Sequence, residues 1–187
     1  LDNGERITAA VAVPNFNDAS FFTMVTLAGR IKRVALSEFA SVRPSGLIAI
    51  SLDEGDELGW VRQTSGNDEI IMVTRSGKAL RIAEKEIRTM GRPAAGVTGI
   101  KLAAGDRLSS MDVVEPNSQL LVVTEHGFGK RTSLDEYPAK GRATGGVATI
   151  DQKHIGKIGQ VASARVVQEE DEVTLVSSGG VMLRLKV

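Results

Sequence analysis

Four short apolar runs recur along the chain, each bounded by polar residues. They occupy positions 21–26, 70–74, 120–124 and 173–176 and are rich in β-branched residues. Runs of this length are too short for buried helices and favour buried strands. A glycine follows each run, at 29, 77, 127 and 180, and a new alternating run begins at once. This pattern predicts four tight β-hairpins whose glycines adopt positive φ.

The hairpins belong to a repeat of about fifty residues, since their glycines are 48, 50 and 53 positions apart. A Gly-x-x-x-Ile marker recurs at 46–50, 96–100 and 146–150. Another marker opens the units at Gly4, Gly55 and Gly105, and less clearly near Gly159. Further strands are predicted at 7–13, 58–63, 108–114 and 161–167 and at each Gly-x-x-x-Ile marker.

Helical periodicity is weak, and the stretch at 36–39 and its equivalents are predicted to be turns. The repeat therefore predicts an all-β, propeller-like array of four-stranded antiparallel blades, about three complete and one partial. The predicted blades are 4–52, 53–102, 103–152 and a truncated 153–187.

Composition indicates a globular protein and argues against a membrane span, a disulfide and a thiolate metal site. The 187 residues are 42% hydrophobic and 25% charged, as in ordinary globular proteins. Without an apolar run of about eighteen residues no membrane partner is predicted, and without cysteine no disulfide or thiolate metal site is. The chain starts at Leu1 without a secretory signal, so we expect the cut edge of a longer, cytoplasmic protein.

Net charge is zero, with 23 basic and 23 acidic residues, but the charges are sorted along the repeat. The tracts 29–46, 77–96, 127–146 and 180–187 hold 15 basic and 5 acidic residues, and the remainder holds 8 and 18. Equivalent positions of a repeat array fall on one face. The sequence therefore predicts a continuous basic stripe suited to a phosphate backbone.

The candidate phosphate contacts fall into two groups. Arg33, Arg81, Arg131 and Arg184 share one repeat position, where an arginine could contact phosphate or bond carbonyls inside a blade. Basic residues in Pro- and Gly-containing loops are the stronger candidates. The full predicted set is Arg30, Lys32, Arg33, Arg43, Lys78, Arg81, Arg88, Arg92, Lys130, Arg131, Lys140, Arg142, Arg184 and Lys186.

No catalytic or metal-binding pattern is found. His126 and His154 lie in turn-like segments without paired ligand spacing. The acids Asp135 and Glu136 occupy a repeated turn position, and the sole tyrosine, Tyr137, is predicted to pack. We predict no catalytic residue, no metal and no cofactor.

Longer motifs follow the repeat in order. They are FFTMVT (21–26) with GRIKR (29–33), LSEF (36–39), GLIAISLDEGDEL (46–58), DEIIMVTRSG (68–77), MGR (90–92) and EHGFGKRTSLDEY (125–137). Together they closely resemble the C-terminal domain of the bacterial DNA gyrase A protein. The resemblance extends over nearly the whole chain.

The resemblance implies a β-pinwheel, in which neighbouring four-stranded blades exchange strands and a basic rim wraps duplex DNA. It implies a non-catalytic domain that directs negative supercoiling by an ATP-dependent type II topoisomerase, DNA gyrase. The implied partners are double-stranded DNA of any sequence, the rest of the gyrase A protein and the gyrase B protein.

By motif order the chain resembles the third to sixth blades of a six-bladed domain, with the last cut short after Val187. The family's Gln-Arg-Arg-Gly-rich box has no match, and 139–146 shares only its loop position. Two alternatives stay open: the equivalent domain of topoisomerase IV, which usually has fewer or more degenerate blades, and a propeller that binds proteins through an apolar patch.

Overall fold

The computed structural model describes residues 4–16, 18–41 and 43–187, which form an almost purely β structure. Within these residues the strands are β1 (Phe21–Thr26), β2 (Arg30–Ala35), β3 (Leu58–Thr64), β4 (Glu69–Thr74), β5 (Lys78–Ala83), β6 (Val97–Thr98), β7 (Leu108–Val113), β8 (Gln119–Thr124), β9 (Gly129–Ser133), β10 (Val147–Ala148), β11 (Val161–Val167), β12 (Glu172–Val176) and β13 (Met182–Lys186). One short helix, α1, spans Ile155–Ile158, and 3-10 turns span Leu36–Phe39, Glu84–Glu86, Leu134–Glu136 and Gln152–His154.

The four predicted hairpins are present as β1–β2, β4–β5, β8–β9 and β12–β13. Their turn glycines have φ of 81°, 81°, 81° and 78°. At Gly77 a side chain is excluded twice over, because an added Cβ would also lie 2.1 Å from Ile150. The glycine spacing in the sequence therefore reports a backbone requirement.

Strand exchange builds each of the first three sheets from two successive repeats. The sheet orders are β3-β1-β2-β6, β7-β4-β5-β10, β11-β8-β9 and β12-β13. In the first, the hairpin 21–35 receives β3 and β6 from the following repeat, and the second repeats this arrangement one unit later. Because the first three sheets each span two repeats, the boundaries 4–52, 53–102, 103–152 and 153–187 remain a proposal.

Two predicted strands are not formed. Residues 7–13 and 46–50 have no strand assignment, although their equivalents in later repeats do pair. Those equivalents pair with the hairpin of the preceding repeat. No hairpin precedes Phe21 among the residues that the structure describes, so these two segments lack a partner.

The sheets stack face to face, and the two-residue period of the strands divides each hairpin between two cores. Ile70 and Met72 pack toward the first sheet with Val25 and Ile31. Ile71 and Val73 point the other way, into a core shared with the third sheet. A third cluster, around Phe22 and Met24, lies on the outer face of the first sheet. The runs of the first two hairpins are therefore predominantly apolar, because both faces of each hairpin are buried.

The strands β3, β7 and β11 form the inner edge of the array and lie against one another. Asp112 on β7 joins them, since its carboxylate accepts from Arg62 Nε at 3.1 Å and lies 3.4 Å from Arg165 Nε. Ser110 Oγ also accepts from the Ala164 N–H at 2.7 Å. The strands β6 and β10 consequently form the opposite, outer edge of their sheets.

Candidate nucleic-acid interface

The outer strands β6 and β10 belong to two longer stretches, residues 84–101 and 134–150, which we call the outer segments. The first holds four basic and two acidic residues, and the second holds two of each. The first runs alongside β2. The Met90 N–H donates to Arg33 O at 2.8 Å, and β6 then pairs with β2 further along the segment. The second follows β5, with the Lys140 N–H donating to Arg81 O at 2.9 Å. Each basic tract therefore lies along a blade edge.

The marker glycines allow this close approach of backbone to backbone. Gly96 has φ 84°, and a Cβ there would lie 2.6 Å from Ile31 O. Gly146 has φ 69°, and its Cβ would lie 2.4 Å from Ala79 O. Any larger residue would push the outer segment off the sheet.

The two outer segments touch and form one continuous surface. The Ala143 N–H donates to Gly99 O at 2.7 Å, and the Lys101 N–H donates to Thr144 O at 2.9 Å. The Arg142 guanidinium reaches Thr98 O at 3.4 Å. The basic tracts of successive repeats thus follow one another along the edge.

Two arginines at the repeated position are used inside the protein. Arg33 donates to Gly66 O at 3.1 Å, and its guanidinium lies 4.6 Å from the centre of the Phe21 ring. Arg81 donates to Glu69 at 3.0 Å and to Leu134 O at 2.9 Å. Both side chains therefore donate to backbone carbonyls, which is one of the two roles that the sequence allowed for an arginine at this position, the other being phosphate contact.

Lys32 is a correction to the predicted surface set, because its side chain is fully buried. Its ammonium donates to Ala49 O at 2.7 Å and to Arg92 O. Burial lowers the pKa of Lys32 to about 8. Lys32 occupies the repeat position of the buried Leu80, and it is not accessible to a ligand.

Three further candidates are neutralised by nearby carboxylates. Arg30 lies 3.5 Å from Asp53 and Arg92 lies 3.9 Å from Glu38. Arg184 pairs with Glu172 across the last hairpin. These side chains remain partly or largely exposed, but their charge is compensated.

The side chains of the remaining candidates form no ion pair among the described residues, although the Glu86 carboxylate accepts from the Arg142 backbone N–H at 3.2 Å. Lys78 is half-buried and unpaired, and the others are exposed. These exposed, unpaired cations are Arg43, Arg88, Lys130, Arg131, Lys140, Arg142 and Lys186. Arg131 differs from Arg81 because Gln119 takes the place of Glu69 in its hairpin, so its charge is left uncompensated.

Two further exposed, unpaired cations of the outer segments are absent from the predicted set. Lys85 lies in the 3-10 turn of the first outer segment, and Lys101 lies at its end. Lys101 falls just beyond the marker glycine at which the basic tract was counted. No sequence pattern marks Lys101, because its place on the edge follows from the pairing of residues 99–101 with the next repeat, which only the tertiary structure shows.

Several acidic side chains accept hydrogen bonds in turns. Asp56 accepts from the Ala28 N–H at 2.9 Å, and Asp106 accepts from the Ser76 N–H at 3.1 Å and from its hydroxyl at 2.5 Å. The Gln160 N–H and the Arg75 guanidinium lower the pKa of Glu125. The Gly-Asp markers therefore cap hairpin turns of the preceding repeat.

Neither histidine lies in a catalytic arrangement. His126 Nδ1 lies 2.8 Å from Lys157 O, and His154 lies 3.4 Å from Asp151. Across the described ranges, no group of three or more His, Asp or Glu side chains could hold a metal ion. In the same part of the chain, no helix has the length and apolar character needed to cross a membrane.

Curated relatives match the repeat region. Over 97 residues the chain is 44% identical to the DNA gyrase A protein of Clostridium acetobutylicum. The aligned region covers 52% of this chain and 12% of the relative. Over 97 residues it is 42% identical to the DNA gyrase A protein of Salmonella typhimurium, covering 52% and 11%. The match therefore spans only a small part of each relative's length.

Solved structures show the same fold. The C-terminal domain of DNA topoisomerase IV superposes with a TM-score of 0.90 at 28% identity, over 100% of this chain and 58% of the other. The DNA gyrase A C-terminal domain superposes with a TM-score of 0.79 at 27% identity, over 92% and 57%. These matches confirm the predicted β-pinwheel.

The family model described as the DNA gyrase C-terminal domain, β-propeller, matches residues 22–65, 68–115 and 118–168. Each match begins within or just before a hairpin and ends at or just after the strand that the next repeat contributes. The resemblance seen in the sequence is thereby confirmed, and the chain belongs to the DNA gyrase C-terminal domain family.

Proposed function

We propose that this domain binds duplex DNA along its outer edge and bends it, without chemistry of its own, for a type II topoisomerase of the gyrase class. The observation that carries the proposal is the junction of the two outer segments. Their direct contact through Gly99, Lys101 and Thr144 places the exposed cations of successive repeats on one surface. Because negative charge is spaced regularly along DNA, a continuous basic edge can contact several phosphates in succession.

The chemistry of this edge favours DNA of any sequence. Its unpaired groups are long, exposed Lys and Arg side chains such as Arg88, Lys140 and Arg142. Such side chains fix the position of a backbone, whereas sequence is read by groups that enter a groove. The edge also passes from blade to blade, so a duplex that follows it must bend.

Within the parent enzyme, the domain would direct negative supercoiling together with the rest of the gyrase A protein and the gyrase B protein in the bacterial cytoplasm. The relatives named above, both gyrase A proteins, support this assignment. A second candidate is the equivalent domain of topoisomerase IV. Its favouring observation is the TM-score of 0.90 with that domain, against 0.79 with the gyrase domain.

The test is a titration of fluorescent 30-base-pair duplexes at several salt concentrations. Phosphate contacts release counterions, so log K should fall linearly with log salt by about 0.9 per phosphate contacted. We expect the triple variant Arg88→Gln, Lys140→Gln, Arg142→Gln to bind more weakly at each salt concentration and to have a slope shallower by about 2–3. Two unrelated duplex sequences should behave alike.

The matched control is Arg107→Gln. Arg107 is exposed and unpaired, but it lies beside the inner strand β7 rather than on the outer edge. It should leave both affinity and slope unchanged, and circular dichroism should show all variants folded. A flat salt dependence, or equal losses from Arg107→Gln and from the triple variant, would refute the outer edge as the interface.

A further inference from the structure

The junction between the two outer segments is made by backbone donors. The Ala143 N–H donates to Gly99 O at 2.7 Å, and the Lys101 N–H donates to Thr144 O at 2.9 Å. An equivalent junction lies one repeat earlier. There, residues 43–51, which we call the leading segment, meet the first outer segment.

Side chains supply the donors at this earlier junction. The buried Lys32 ammonium donates to Ala49 O at 2.7 Å, and the Ser51 hydroxyl donates to Pro93 O at 2.6 Å. The same ammonium also donates to Arg92 O. Lys32 therefore bonds one backbone carbonyl from each of the two segments.

The repeat shows why a side chain is needed here. Counted back from the marker glycines, Pro93 occupies the position of Ala143. Counted forward from them, Ala49 occupies the position of Gly99. Proline has no N–H, so position 93 cannot donate to the Ala49 carbonyl in the way that the second junction uses. The Lys32 ammonium donates to that carbonyl instead.

The hairpin residue that packs at each junction matches this difference. Lys32 belongs to the hairpin whose junction has proline, and Leu80 holds its position in the hairpin whose junction has the backbone donor. The two side chains are equally buried, at 0% and 1% exposed. Burying an ammonium is costly unless it is hydrogen-bonded. A lysine at a leucine position therefore indicates hydrogen bonds that this junction requires.

We propose that Lys32 is a positioning residue for the DNA-binding edge, because it supplies the donor that Pro93 lacks and so joins the leading segment to the first outer segment. This inference rests on the proposed function. Lys32 is buried and cannot contact a phosphate itself. It acts through the cations of the two segments that it joins, the exposed Arg43 and Arg88. The edge that contacts phosphate is thereby extended by one further repeat.

Three variants separate the position of the junction from its charge. Lys32→Leu copies the second hairpin and removes the donor. The double variant Lys32→Leu, Pro93→Gly restores a backbone N–H at position 93, since glycine adopts the positive φ of 62° that Ala143 has. The two carry the same net charge, so a difference between them reports geometry. Pro93→Gly alone is the control, because Lys32 still holds the junction.

Hydrogen exchange followed by mass spectrometry measures the junction in the free protein. We expect Lys32→Leu to exchange faster than the unmodified chain over residues 46–51 and 88–96, and the double variant to regain protection there. Pro93→Gly alone should keep the protection of the unmodified chain. Circular dichroism should show all three variants folded.

Titration of the 30-base-pair duplex at several salt concentrations measures the edge. Lys32→Leu should bind more weakly, and the slope of log K against log salt should be shallower by about 1, because the cations of one segment no longer lie on the edge. The double variant should recover most of the affinity and the slope.

The proposed function and this inference fail in different ways. A flat salt dependence of the unmodified chain would refute the outer edge as the interface, and with it any role of Lys32 in positioning that edge. Salt-dependent binding that is equal in Lys32→Leu and in the double variant would overturn this inference alone. Unchanged exchange over residues 46–51 and 88–96 in Lys32→Leu would also overturn it.

Discussion

Two charged side chains occupy positions that other repeats fill with leucine. Lys32 stands where repeat two has Leu80, and Glu84 stands where repeats one and three have Leu36 and Leu134. Both charged side chains are fully buried. Glu84 accepts from Thr64 Oγ1 at 2.6 Å and from the Gly66 N–H at 2.9 Å. Each replaces apolar packing by hydrogen bonds that hold adjacent repeats together.

Lys32 should give the protein a measurable pH dependence. Burial lowers its pKa to about 8 from the ordinary 10.5, so between these values the unfolded chain binds more protons than the folded one. Stability should therefore rise as pH is raised through this window. In Lys32→Met the rise should be absent, while the lost hydrogen bonds give an offset independent of pH.

Urea denaturation of both proteins at pH 7.5 and pH 10 measures this effect. The comparison between the two proteins cancels the contributions of groups common to both. If the midpoints of the two proteins shift equally between these pH values, Lys32 does not titrate in the window.

At the scale of elements, the hairpin turn is stabilised from outside its own hairpin. Asp106 precedes β7, yet its carboxylate accepts from Ser76 in the turn between β4 and β5. Asp56 makes the equivalent contact with the Ala28 N–H in the turn between β1 and β2. The capping acid and the exchanged strand therefore dock as one unit.

Removing the cap should weaken the fold without changing the charge of the outer edge. Asp106→Ala leaves the Ser76 N–H without its acceptor and the Ser76 hydroxyl with only Thr74 Oγ1 as a partner, and we expect it to lower the free energy of unfolding by about 1–3 kcal/mol. Glu54→Ala is the matched control, because Glu54 is an exposed acid in the equivalent marker region and its carboxylate has no hydrogen bond or ion pair with the residues that the structure describes. Urea denaturation compares the two, and equal stabilities would show that the cap contributes nothing.

At the scale of the whole molecule, strand exchange determines where the charges lie. The inner strands meet around Asp112, and the outer segments meet around Gly99 and Thr144. The carboxylates of Asp56 and Asp106 accept hydrogen bonds from the backbone of the hairpin turns. The neutral chain therefore presents unpaired cations along its outer edge.

This arrangement predicts weak but measurable DNA bending by the chain. Bending 20–30 base pairs by 40–90° costs on the order of 1–6 kcal/mol, which a few phosphate contacts offset only in part. Energy transfer between dyes at the two ends of a 30-base-pair duplex should rise when the chain binds. The triple variant at Arg88, Lys140 and Arg142 should leave the duplex straight at equal occupancy. A straight duplex with the unmodified chain bound would contradict bending.

The sequence alone determined the repeat, the four hairpins and the family, because apolar runs, positive-φ glycines and turn spacing are local properties. It could not determine which repeat completes a blade, because β6 and β10, the outer partners of β2 and β5, lie more than forty residues away along the chain. Nor could it separate the cations, because the carboxylates that lie beside Arg30 and Arg92, those of Asp53 and Glu38, belong to other segments of the chain that only the tertiary structure brings near. Charge order along the chain predicted a basic edge, and burial and ion pairing in three dimensions decided which residues on it remain free.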